Sequence, residues 1–103
     1  MPKKIYAGKE IEVDDNGYLV NSDDWNEDVA REIAKEEGIE LTEKHFEVIN
    51  FLRQSFKEGK QLSIRKIGKS GIVDIKEFYQ LFPDGPLKKA SKIAGMPKPA
   101  GCV

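Results

Sequence analysis

Apolar residues near the start of the chain alternate with polar ones, at Ile5 and Ala7 and again at Ile11 and Val13. That period of two marks half-buried β-strands, and Gly8-Lys9 between them reads as a tight turn. Asp15-Asn16-Gly17 reads as a second turn, of the type I′ hairpin kind, because Asn-Gly supplies positive φ angles, with Tyr18-Leu19-Val20 returning as a strand. After residue 20 the period lengthens. Ser22-Asp23-Asp24-Trp25 offers the acceptors that a helix start needs, and the lone tryptophan is positioned to anchor it in the core. A helix from about Asn26 to Glu37 carries Val29, Ala30, Ile33 and Ala34 as one apolar stripe, with Gly38 as its cap. Thr42 opens a longer helix, Glu43 to Glu58, whose buried face is Phe46, Val48, Ile49, Phe51, Leu52 and Phe56. His45 in its first turn reads as a half-buried surface residue rather than a titrating site.

The second half breaks into shorter helices. Ser63 caps Ile64 to about Lys69, and Asp74 with Glu77 has capping-box spacing for a helix through Phe78, Tyr79, Leu81 and Phe82, which Pro83 stops. Phe78 and Tyr79 read as core. Two short helices around a glycine-containing turn make a helix-turn-helix shape. Leu87 to Ala94 is the last helix. Beyond Gly95, Pro97 and Pro99 forbid a helix of any length. The expected class is mainly α within an α+β plan: a small N-terminal β-hairpin packed on a helical bundle with a helix-turn-helix element and a flexible C-terminal arm. Residues 1–94 form the domain, and residues 95–103 the arm.

Composition narrows the chemistry. The 103 residues suit one domain. No apolar run approaches the roughly 20 residues of a membrane span, and no signal-peptide pattern follows Met1, so the expected location is the cytoplasm. A net charge of −1 conceals an asymmetry: residues 1–52 carry six Lys/Arg and fourteen Asp/Glu, or −8, and residues 53–103 carry eleven and four, or +7. Such a basic half can be an anion or nucleic-acid face, or two charged halves can simply pack together.

The single cysteine, Cys102, sits in the basic half, and with one histidine in the chain a cysteine-based metal site is not expected. No cofactor is expected either. Thiolate is the reactive form of cysteine, and cations such as Lys98, Lys92 and Arg65 would favour it, whereas a terminal carboxylate on Val103 would oppose it. No Cys-His-Asn set, phosphate loop or HExxH motif accompanies it. One exposed nucleophile on an arm is enough for a thiol that carries a group between partners. A second reading is a nucleic-acid regulator built on the helix-turn-helix, although Asp74 and Glu77 stand where such helices meet phosphates and bases.

Leu81-Phe-Pro-Asp-Gly-Pro86 and Lys92-Ile-Ala-Gly-Met-Pro-Lys-Pro-Ala-Gly-Cys-Val103 resemble the C-terminal signature of the DsrC/TusE family. Gly8-Lys-Glu-Ile11, Asp15-Asn-Gly-Tyr-Leu19, Asp24-Trp25, Leu41 to Ile49, Phe51-Leu-Arg53 and Ile64-Arg65 extend the resemblance over essentially the whole chain. The resemblance implies a sulfur carrier that holds sulfur as a persulfide on Cys102, a relay rather than a stand-alone catalyst. Arg65, Lys92 and Lys98 would stabilise the anion. It implies sulfur-donor partners of the DsrEFH/TusBCD kind and, as acceptor, a siroheme sulfite reductase or a tRNA-thiolation enzyme; a structural subunit of dissimilatory sulfite reductase is a third reading. Two-cysteine members place a second thiol eleven residues before the last one, where this chain has Ser91. An internal disulfide or trisulfide is therefore unavailable, as in the single-cysteine, TusE-like members that relay persulfide toward tRNA thiolation. The segment between Phe56 and Asp74 is also shorter than is usual in the family.

Overall fold

The computed structural model describes residues 2–99. Strands β1 (Lys3–Tyr6) and β2 (Lys9–Glu12) form an antiparallel pair in which Tyr6 faces Lys9, so the turn is Ala7-Gly8. Both turn residues have positive φ, 53° and 76°, as a two-residue hairpin of right-handed twist requires. Placing the turn at Gly8-Lys9 was therefore one residue late. Alanine rarely takes this conformation, but here its amide donates to the Glu32 carboxylate, a contact invisible in the local sequence. The second turn also differs from expectation. Of Asp15, Asn16 and Gly17 only Gly17 has positive φ, and Asp14 Oδ1 organises the loop by accepting from the amides of Asn16 and Tyr18. The returning segment shrinks to one bridge, Val13 with Leu19.

Ser22–Asp24 is a separate 3-10 turn capped by Asn21, and Asn26 starts the helix proper by accepting from the Val29 amide at 2.9 Å. Five helices follow: α1 (Glu27–Glu36), α2 (Glu43–Lys57), α3 (Ile64–Gly68), α4 (Ile75–Leu81) and α5 (Pro86–Ile93). The side chains of Thr42, Ser63 and Asp74 accept from the amide three residues on, as the sequence pattern requires. α5 packs on α1, α2 and α4, and β1 leans on α1. A two-stranded ribbon is marginal alone, and burying Tyr6, Ile11 and Val13 against the helices stabilises it. The radius of gyration is 12.7 Å. No helix among the described residues is long and apolar enough to cross a membrane.

Three expected burials are corrected. His45 is buried, not half-exposed at the surface: its ring completes the Thr42 capping box, Nδ1 accepts the Thr42 amide, and Nε2–H donates to the Leu81 carbonyl at 2.8 Å. Phe56 is 41% exposed while Ser55 is buried: Phe56 still lies on the stripe of α2, but it lines a cleft opposite Met96 to Pro99 instead of filling the core. Phe78 is core, but Tyr79 is 47% exposed. α3 and α4 do form the helix-turn-helix shape, packed so closely that a Cβ on Gly68 would lie 2.7 Å from Ile75 Cγ1.

The hairpin's link to α1 makes a pH prediction. The buried Tyr6 hydroxyl donates to Glu36 Oε1 at 2.8 Å, beside the Lys4 ammonium. Burial, reinforced by Glu36, pushes the phenol up to about 12. Burial alone would raise Glu36, but the hydrogen bonds from Tyr6 and Lys4 outweigh it and hold the carboxyl below its ordinary value. A raised folded pKa contributes stability below the unfolded value, and that stability is lost as pH rises through the folded value. Urea midpoints should therefore fall between pH 10 and about 12, and Tyr6→Phe should make that fall shallower.

Candidate functional site

The site begins where α5 ends. Its last four carbonyls have no partners within a helix and need them from elsewhere. Ala90 O accepts from Ala94 N, Ser91 O from Met96 N at 3.0 Å and Lys92 O from Gly95 N at 3.1 Å. The last two bonds make a Schellman end, for which Gly95 takes φ 71°. Ile93 O accepts from the Trp25 indole at 2.8 Å, and Ala94 O from Arg53 Nη1 at 2.8 Å. Arg53 lies 4.1 Å over the Trp25 ring and also donates to Ser22 O. Burial lowers the Arg53 pKa from its ordinary value, opposed by Asp23, yet the group remains a cation set against the negative end of the helix dipole. The stretch that leads to the cysteine thus leaves from a helix end with every carbonyl satisfied.

That clamp was not foreseen. Arg53 lies 31 residues from Ser22 and 41 from Ala94, so no local spacing announces it. Gly95 and Met96 are buried, whereas Pro97 and Lys98 are exposed. Gly95 sits flush against Trp25, where a Cβ would meet Trp25 Cδ1 at 2.6 Å.

The predicted site residues fall in different places. Cys102 lies outside the described residues. Ser91 is 1% exposed, and its hydroxyl has no hydrogen-bond partner among the described residues. It lines a cleft of about 130 Å³, with Leu62 and Phe56 on one wall and Met96 to Pro99 on the other. Lys98 belongs to this cleft and to a second one, which Lys92 also lines. Lys92 pairs with Glu37 at 3.2 Å in a largely buried bridge. Arg65 is exposed on α3 and lines neither cleft. Two of the three predicted cations are therefore brought together and the third stands apart.

The model of the family described as "DsrC like protein" matches residues 5–103, the whole of the described fold beyond its first residues and the stretch after it. The chain belongs to the DsrC-like family. Among relatives, the "Sulfurtransferase TusE" of Photorhabdus laumondii is 46% identical, over 96% of each chain. Among solved structures, DsrC of Allochromatium vinosum superposes with a TM-score of 0.84 at 41% identity, covering 98% of this chain and 97% of that one. A chain of dissimilatory sulfite reductase I (DsrI) gives 0.86 at 38% identity, over 99% and 100%. The DsrC-like fold is thus mainly helical with an N-terminal hairpin, as the sequence pattern led us to expect.

Proposed function

We propose that this chain is a sulfur carrier that holds sulfur as a persulfide on Cys102 and passes it between partner proteins. The observation that carries the proposal is the placement of the family's thiol: Cys102 follows Pro99 by three residues, beyond a helix end whose root Trp25 and Arg53 hold fixed. Eight residues separate Ala94, the last clamped carbonyl, from Cys102, which is at most about 28 Å of extended chain, so the thiol's reach from that root is bounded. A fixed root with a short tether raises the local concentration of the nucleophile at a docked partner. The relatives support a relay more than a nucleic-acid reader or a purely structural subunit, since the Photorhabdus laumondii protein is named a sulfurtransferase.

The step balances without any cofactor. The Cys102 thiolate attacks the outer, sulfane sulfur of a donor persulfide; the donor's S–S bond breaks, and the donor leaves as its own thiolate. The new Cys102 persulfide then offers that outer sulfur to the next thiolate in the same way. Lys92 and Lys98 favour the thiolate by charge, and we assign Arg65, across the surface on α3, to the same anion only when a partner closes the arm over it. With Ser91 in place of a second thiol, each cycle involves one cysteine and ends on a partner. The donor is then a persulfide-bearing protein of the DsrEFH/TusBCD kind, and the acceptor a tRNA-thiolation enzyme rather than a siroheme reductase.

Incubation of the full chain with a persulfide donor, followed by intact-mass measurement, should show the addition of one sulfur atom that a reductant removes. Cys102→Ser should show none. An adduct of the same size on Cys102→Ser would overturn the assignment of the thiol.

A further inference from the structure

A highly charged cleft of about 250 Å³ lies between the 14–18 turn and α5. Lys88, Lys89, Lys92 and Lys98 line it. Only two acids do, Glu37 and Asp84, so four ammonium groups against two carboxylates leave +2. Lys92 is paired with Glu37 at 3.2 Å. Lys88, Lys89 and Lys98 take part in no ion pair among the described residues.

This arrangement works against the stability of the helix itself. Lys88 and Lys92 are four residues apart on α5, a like-charge spacing that destabilises a helix. The segment after α5 adds Lys98 to the same concavity, although the chain's surplus of acids in residues 1–52 offers many partners elsewhere. Unpaired cations gathered over low-dielectric walls focus anions. The wall here is the buried Tyr18 ring, whose hydroxyl donates to Lys88 O at 3.2 Å and so fixes the first turn of α5 against the hairpin loop. Asn16 on the rim adds a neutral amide donor. The volume falls below the roughly 300–1,000 Å³ typical of sites for organic ligands, and lysines act on tetrahedral oxoanions as point charges without demanding a planar partner.

We propose that this cleft binds a small doubly charged tetrahedral oxoanion, of the sulfate or phosphate kind, whose charge matches the surplus of +2. The bound anion bridges Lys88 and Lys89 of α5 to Lys98 and so ties the segment beyond Met96 to the helix it leaves. The site shares Lys92 and Lys98 with the cations assigned to the Cys102 thiolate, but its occupancy is read without any sulfur chemistry. Failure of either proposal leaves the other standing.

The full-length, isotopically labelled protein is titrated with sodium sulfate and, separately, with sodium phosphate, against sodium chloride at matched ionic strength, while amide resonances are followed by NMR. Saturable shifts should appear at residues 16–18 and 87–92 and at Lys98. The double variant Lys88→Gln/Lys89→Gln should weaken binding by about tenfold or more, and Lys76→Gln, on α4 away from the cleft, should not change it. A single-stranded RNA oligonucleotide is the second probe, because phosphodiesters could exploit the same lysines. Shifts no larger than those of chloride, affinity unchanged in the double variant, or saturation by RNA alone would each overturn the proposal.

Discussion

Gly95→Ala should lower stability by about 2–5 kcal/mol, one of the largest effects available at a single exchange in this chain. Two independent causes add. A left-handed φ of 71° costs a non-glycine residue roughly 1–2 kcal/mol. The new Cβ would also lie 2.6 Å from Trp25 Cδ1 and 2.8 Å from Trp25 Cβ, and relieving such overpacking typically costs about 1–3 kcal/mol. Trp25 cannot swing aside freely, because its indole donates to Ile93 O and its ring lies under Arg53. For a domain of this size the loss should lower Tm by roughly 10 °C or more. Thermal and urea denaturation check it. A double-mutant cycle with Trp25→Gly separates the causes, since only losing Cβ along with the ring removes the clash and leaves the backbone strain at residue 95. A Gly95→Ala chain as stable as the parent would mean that the α5 end is not held as described.

Local chemistry made much of the fold legible. Thr42, Ser63 and Asp74 were readable as caps because each acts on an amide three residues away. The stripe of Val29, Ala30, Ile33 and Ala34 was readable because a helix repeats it every turn, and all four are fully buried. The reading failed where a distant segment decides. His45 is buried because Leu81, 36 residues on, supplies a carbonyl. Ala7 takes positive φ in a turn whose amide finds Glu32, 25 residues on. Phe56 continues the stripe of α2 by spacing, but the stretch opposite it, Met96 to Pro99, leaves it lining a cleft instead of filling the core.

The site divides along the same line. Cys102 and Lys98 stand in one contiguous family signature, with Ser91 just before it, and sequence displays all three directly. That Ser91 is buried with a hydroxyl unpartnered among the described residues, and that Trp25 and Arg53 clamp the carbonyls of Ile93 and Ala94, depend on contacts spanning 31 to 68 residues. The two halves of the chain meet at α5, where Lys92 pairs with Glu37 and Arg53, which clamps Ala94 O, also reaches back to the Ser22 carbonyl.

The second large effect is the all-or-none dependence of sulfur transfer on Cys102. A carrier must release what it accepts, and with one cysteine in the chain the outgoing sulfur cannot be displaced by a neighbouring thiol of the same molecule. Discharge therefore needs an acceptor, and the persulfide should persist after the donor is removed. Lys92→Gln/Lys98→Gln should load more slowly at neutral pH and recover at higher pH, because fewer cations leave less thiolate. The most direct test loads the full chain with radiolabelled sulfane sulfur, removes the donor, and adds a thiol-bearing acceptor protein. The account predicts label that stays on the chain until the acceptor is added, then leaves it and appears on the acceptor, with none carried by Cys102→Ser. Label that never leaves the chain, or that reaches the acceptor equally well through Cys102→Ser, would contradict it.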